Sequence, residues 1–239
     1  MTGFCGNLAN RRVDRRRLLQ MGVVALGVNA TLLPVESPAQ SAPTARPIKL
    51  VAFGDSLTAG YLLAPGEAFP VILAKHLAAR GDVIEVINAG VSGDTTSAGR
   101  DRLAWSVPPE TDAVILELGA NDALRGVDPA VTRANLEAMI VALKVQKVDI
   151  LLAGMVAPKS FGEPYTKAFD AIFPDLALKH DLLLYPLFIA AVALKPALNL
   201  ADGMHPNAKG VEVLVADILP KVEALLGRVK ARRAAAEKG

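Results

Sequence analysis

The chain reads as a doubly wound, three-layer α/β/α domain on a five-stranded parallel sheet with a flavodoxin-like strand order. Three observations carry this reading. From Pro47 onward, apolar runs of strand length alternate with segments of helical period. The runs are rich in Val, Ile and Leu throughout rather than alternating, as strands covered on both faces must be. And 239 residues, 52% of them hydrophobic, suffice for one domain with a substantial core.

The strands are expected at residues 48–53, 83–87, 113–118, 150–155 and 182–185. Helices are expected at 68–79, 129–145, 164–179 and 207–226, with a shorter one at 98–103. Pro220 should kink or restart the last of these. Phe161, Tyr165, Phe169 and Phe173 recur every four residues, so they read as the core face of one helix, with Phe161 alternatively walling a pocket. Trp105 is expected to pack inside. Residues 230–239 form a charged, alanine-rich tail that should fray.

The front of the chain differs in composition from the body. Residues 1–39 hold five arginines and two acids, which leaves 21 basic against 22 acidic residues in the remainder. That nearly neutral body shows no Lys/Arg stripe interleaved with aromatics, so no nucleic-acid partner is expected. Residues 1–41 read as an export signal and linker. Arg15, Arg16 and Arg17 precede Leu18 and Leu19, and the moderately apolar run at 21–33 is broken by Gly22, Gly27 and Asn29. This resembles a twin-arginine signal, with cleavage near Ala39 or Ser41 and a periplasmic or secreted product. The run is short for a membrane span, so no stable insertion is expected after processing. A basic tail on a cytoplasmic protein and an uncleaved anchor are the alternatives. Cys5 is the only cysteine, which gives the body no disulfide and no cysteine metal site.

In a sheet of this kind, the loops after the carboxyl ends of the strands form the binding crevice. Those loops hold the unusual residues. Gly54-Asp55-Ser56-Leu57 follows the first strand, Ser92-Gly93-Asp94-Thr95 the second and Gly119-Ala120-Asn121-Asp122 the third, while Asp202-Gly203-Met204-His205 precedes the last helix. Ser56 is a candidate nucleophile. It needs a base, an orienter for that base, and donors for an oxyanion. Of the three histidines, His76 falls within a helix and His180 at a helix end, whereas His205 sits on a crevice loop. Asp202, three residues earlier, is placed to hold the far nitrogen of His205. The main-chain N–H groups of Ser56 and Gly93 and the amide of Asn121 are candidate oxyanion donors. The plainer alternatives are a turn-forming Asp202, a polar loop His205 and a turn-forming Asn121. Asp55 and Asp122 read as loop braces rather than as a catalytic carboxylate pair. Nucleotide-binding and α/β-hydrolase-elbow patterns (Gly-x-Gly-x-x-Gly, a Lys-Ser/Thr phosphate loop, Gly-x-Ser-x-Gly) are absent.

These four stretches, in order and register, resemble the blocks of the SGNH (GDSL-type) hydrolases, most closely the bacterial thioesterase/lysophospholipase/arylesterase branch. The resemblance spans the body at 46–229. It implies that Ser56 is the nucleophile, Asp202 and His205 the acid and base, and Ser56, Gly93 (rather than Gly90) and Asn121 the oxyanion hole. It also implies broad activity on small-molecule or lipid acyl esters, with no metal and no cofactor. Leu124, Arg125 and Val127, on a loop bounded by Pro129, together with Phe161, are expected to contact the acyl chain. A carbohydrate acetyl esterase on the same scaffold and a non-catalytic small-ligand binder are the competing functions.

Overall fold

The structure, a computed structural model, describes residues 46–238. The signal-like segment at 1–41 lies outside the described residues. The chain order is β1 (Ile48–Gly54), α1 (Ser56–Ala59), α2 (Phe69–Ala79), β2 (Ile84–Gly90), α3 (Thr96–Ser106), β3 (Ala113–Glu117), α4 (Ala120–Leu124) and α5 (Pro129–Val145). It continues with β4 (Asp149–Ala153), α6 (Glu163–Asp170), α7 (Ile172–His180), β5 (Leu183–Tyr185) and α8 (Ala208–Ala236). The strands form one parallel sheet in the order β2-β1-β3-β4-β5. This is the predicted doubly wound α/β/α arrangement. The helices α2 and α8 pack together on one face, and α3, α5 and α7 form the other layer.

Local chemistry sets the element boundaries. Asp128 caps α5 by accepting from the Ala130 N–H at 2.8 Å, and Pro129 supplies a first residue that needs no donor, so α5 spans 129–145 as expected. Thr95 caps α3, which therefore begins at Thr96 and runs to Ser106, longer than its apolar pattern alone indicates. The single helix expected at 164–179 is two helices. Pro174 has no N–H for the Asp170 carbonyl, so the helix ends at Asp170 and restarts at Ile172. Phe169 and Phe173 are buried, but Phe161 precedes the helix and is 42% exposed. Trp105 is 76% exposed on α3, contrary to its expected packing.

The largest departure is at the C-terminus. Helix α8 neither restarts at Pro220 nor frays at 230, and continues to Ala236. Val229 is fully buried, and three basic residues beyond it tie the last turns to the sheet's amino edge. Lys230 reaches Asp82 at 2.8 Å, and Arg232 reaches Asp149 at 3.0 Å. Arg233 bonds the buried Asp112 carboxylate at 2.5 Å and the Arg46 carbonyl at 2.7 Å. Burial pushes the Asp112 carboxyl up, but the bonds from Arg233 and Arg46 outweigh it and hold the group at about 2. Replacing Arg233 with Ala should therefore cost about 1.5–3 kcal/mol in urea unfolding at neutral pH, since it strips a charged partner from a buried carboxylate. Because the Asp112 pKa is depressed, its contribution is present above the ordinary carboxylate range and is lost as pH falls through about 2. A frayed tail would instead leave stability within about 0.5 kcal/mol of the parent.

Candidate active site

Strand β1 ends at Gly54, which pairs with Gly90 of β2 on one side and Glu117 of β3 on the other. The chain then turns straight into α1, whose backbone lies on the strand ends. A Cβ at Gly54 would sit 2.2 Å from the Thr58 hydroxyl, and one at Gly90 would sit 2.2 Å from the Ala59 nitrogen. Only glycine permits this approach. Asp55 caps α1 by accepting from the Leu57 N–H at 3.0 Å, which makes Ser56 the first helical residue. Among the described residues, no acceptor meets the main-chain N–H of Ser56 or of Gly93.

The loop before α8 brings the other partners. The Leu200 N–H donates to the His205 carbonyl at 2.7 Å, and Asn199 bridges to Pro206, so residues 199–206 form a tight excursion. Asn207 then caps α8 by accepting from the Gly210 N–H at 2.9 Å. Within the excursion, Oδ1 of Asp202 accepts from the N–H groups of Met204 and His205 at 2.9 and 3.0 Å. Its Oδ2 lies 2.7 Å from Nδ1 of His205, whose Nε2 lies 2.8 Å from Oγ of Ser56. Ser56, His205 and Asp202 thus form one continuous hydrogen-bonded chain across 149 residues of sequence. The two N–H bonds, with the His205 ring, hold the Asp202 carboxyl at about 2, so it stays anionic beside the imidazole. Such a relay suits proton removal from a hydroxyl. The Tyr61 ring sits 4.7 Å from the His205 ring. His76 and His180 pair with Glu212 and Glu137 instead.

Asn121 stands at the start of α4, beside Ser56, and donates through Nδ2 to Asp55 Oδ2 at 3.0 Å. An amide nitrogen carries two hydrogens, so the second remains to serve a ligand. Asp122 accepts from the Thr96 N–H at 2.8 Å and from the hydroxyls of Thr96 and Thr132, bracing the loops as expected. Beneath Asn121 and Ser56 lies a pair of buried carboxyls. Glu117, with no exposed surface, uses Oε2 to accept from the Asp55 N–H at 3.2 Å and to meet the Thr58 hydroxyl at 2.7 Å. Its Oε1 has no partner among the described residues. Burial raises the Asp55 carboxyl to about 6, and burial with the Asp55 charge raises Glu117 well above its ordinary value. Both shifts follow from setting two carboxyls together away from water, and Asp55 is the member of the pair that accepts from the Asn121 amide.

A cavity of about 390 Å³ opens beside Ser56, lined by Ser56, Gly93, Asn121 and His205 and otherwise mainly by apolar side chains. Of the four residues expected to contact a substrate, only Leu124 lines it. Arg125 turns instead to the Gly93 carbonyl at 3.0 Å. The Val127 carbonyl accepts from the Tyr165 hydroxyl at 2.8 Å, and Phe161 packs on the Tyr165 ring at 5.1 Å. Most of the wall comes from residues to which the sequence reading assigned no substrate contact, notably Tyr61, Met155, Val156, Leu187, Leu194 and Met204. Met155 and Val156 follow the end of β4 and Leu187 the end of β5, and Leu194 is 96% exposed. Among the described residues, no cluster of three or more His, Cys, Asp or Glu side chains is arranged to hold a metal ion.

Residues 52–213 match the GDSL-like Lipase/Acylhydrolase family. An arylesterase of Vibrio mimicus is 38% identical over 160 residues, covering 66% of this chain and 80% of that protein. The Thioesterase 1/protease 1/lysophospholipase L1 of Escherichia coli K12 is 36% identical over 173 residues, covering 72% of this chain and 81% of that one. Among solved structures, AlinE4, an SGNH-hydrolase family esterase, superposes with a TM-score of 0.64 at 44% identity, covering 77% of this chain and 98% of that one.

The buried acid pair has a measurable signature. A carboxyl whose pKa is raised by folding contributes stability below its unfolded pKa and loses that contribution as pH rises through its folded value. Glu117→Gln, which cannot ionise, should therefore melt below the parent at about pH 4 and gain on it steadily toward about pH 8. Thermal melts at fixed ionic strength check this. A constant gap across that range would mean Glu117 titrates normally.

Proposed function

Since the chain belongs to the GDSL-like lipase/acylhydrolase family and hydrolyses ester bonds, we propose that it is a serine esterase for acyl esters and thioesters. In this reading Ser56 is the nucleophile, His205 the general base and Asp202 its orienter. The observation that carries it is the unbroken Ser56–His205–Asp202 chain at the mouth of an apolar cavity. Ser56 Oγ attacks the acyl carbon while His205 Nε2 takes its proton. The tetrahedral oxyanion is met by the N–H groups of Ser56 and Gly93 and the Asn121 amide. His205 then returns the proton to the leaving alcohol or thiol. A water, activated by the same imidazole, frees the acyl group from Ser56. Asp202 remains anionic throughout, keeping the Nδ1 proton on its side of the ring.

The apolar wall formed by Leu124, Met155, Leu187 and Leu194 supports an acyl chain as the buried part of the substrate. We further propose export through a folded-protein route, on the strength of Arg15 and Arg16 ahead of the apolar run at 21–33.

Three measurements test these proposals. Ser56→Ala and His205→Ala should each lower kcat on an aryl ester by several decades, and the double variant should lose little more, because the two act as a unit. Independent, multiplying losses would break the assignment, as would a fluorophosphonate that fails to add to the Ser56 peptide in folded protein. For export, replacing Arg15 and Arg16 together by lysine should leave unprocessed precursor in the cytoplasm. Normal delivery of that variant removes the twin-arginine route without touching the chemistry.

A further inference from the structure

Arg102 is a buried cation outside the proton relay, only 8% exposed on the inner face of α3. Its guanidinium stacks on the Phe53 ring at 4.1 Å and spends its donors on three different segments. Nη2 donates to the Gly54 carbonyl at 2.9 Å, at the end of β1. Nη1 donates to the Ala89 carbonyl at 2.9 Å, at the end of β2, and to the Ser106 hydroxyl at 3.2 Å. Nε donates to the Asp94 carboxylate at 2.5 Å, in the loop after β2. The same Gly54 carbonyl also accepts the Val91 N–H at 3.0 Å, closing the loop onto the strand end. Gly54 stands two residues before Ser56, and Asp94 one residue after Gly93.

A single planar fork therefore grips the chain beside each of the two main-chain donors that the esterase reading assigns to the oxyanion. Neither N–H can be held by its own side chain, since the donors belong to the backbone. Their separation is set by whatever fixes Gly54 relative to Asp94. Guanidinium geometry suits this, because its donors diverge rigidly in one plane, whereas an ammonium offers three donors from a single point.

We propose that Arg102 is a positioning residue of the oxyanion hole, fixing the Ser56 and Gly93 N–H groups at the spacing the transition state requires. It touches no substrate. It acts through Gly54 and Asp94, and the proposal rests on the serine-esterase reading above. The expected consequence is a loss confined to charge that develops during reaction.

The test uses Arg102→Met, Arg102→Lys and Asp94→Asn in the full chain, with active sites counted by the endpoint of fluorophosphonate labelling at Ser56. Per labelled site, Arg102→Met should lower kcat on p-nitrophenyl acetate by about 10²-fold with KM within about 3-fold. Affinity for a trifluoromethyl ketone, which forms a tetrahedral oxyanion on the serine, should fall by a similar factor. Lysine should not rescue it. Asp94→Asn should give a smaller loss of the same kind, non-additive with Arg102→Met, and stands in if the arginine variants fail to fold. Kinetics per labelled site and ketone affinity within about 3-fold of the parent in the folded variants would reduce Arg102 to a structural brace and overturn the assignment. Absence of labelling in the parent protein would instead remove the serine-esterase reading, and this assignment with it.

Discussion

The arrangement depends on how closely α1 lies on the carboxyl ends of β1, β2 and β3. Two strand ends finish in glycine, and the third ends in a glutamate with no exposed surface that reaches under the turn to the Asp55 N–H and the Thr58 hydroxyl. With no Cβ in the way, the helix starts one residue after the cap, and the serine hydroxyl emerges at the rim of the sheet instead of being buried by its own turn. The cost is a carboxyl group with one unpartnered oxygen in the core. Burial and the Asp55 charge both push that group toward its neutral form, which eases the burial. Asp55, beside it, accepts from the Asn121 amide.

Much of this was legible in the amino-acid sequence because it is local. Continuous Val/Ile/Leu runs need two covered faces, which pointed to the parallel sheet, and Pro129 suits the first position of a helix running to Val145. Ser56, Asp202 and His205 stood out because each sits on a loop at the carboxyl edge, and the structure brings their side chains to 2.7–2.8 Å of one another. What escaped detection was mostly long-range. The cavity wall draws on segments around Met155, Leu187 and Leu194, which no local pattern joins, while Arg125 turned to the Gly93 carbonyl and the Val127 carbonyl to the Tyr165 hydroxyl, partners that a sequence does not announce. Pro174 was a readable stop signal overridden by the strong aromatic spacing around it. Arg102 looked like any helical arginine, because its role lies in three acceptors from three segments.

Polarity is divided along the crevice. The relay and its donors occupy one side, where each side-chain partner already has a hydrogen bond and the Ser56 and Gly93 N–H groups are left without an acceptor among the described residues. The other side is apolar and partly open, with Val156 and Met204 each 50% exposed at the cavity. Rigid polar geometry on one side and adaptable apolar surface on the other separate the demands of bond breaking from those of accommodating varied substrates.

At the opposite edge of the sheet, Arg46 and Arg233 grip the same Asp112 carboxylate, and Arg233 also bonds the Arg46 and Pro47 carbonyls. The first and last segments of the folded body are therefore neighbours, and the polypeptide traces a nearly closed circuit. The order in which the layers are threaded is then incidental to the site. A short bridge between those segments, with the chain reopened at an exposed loop tip, would preserve every contact around Ser56, so the protein is a natural substrate for circular permutation.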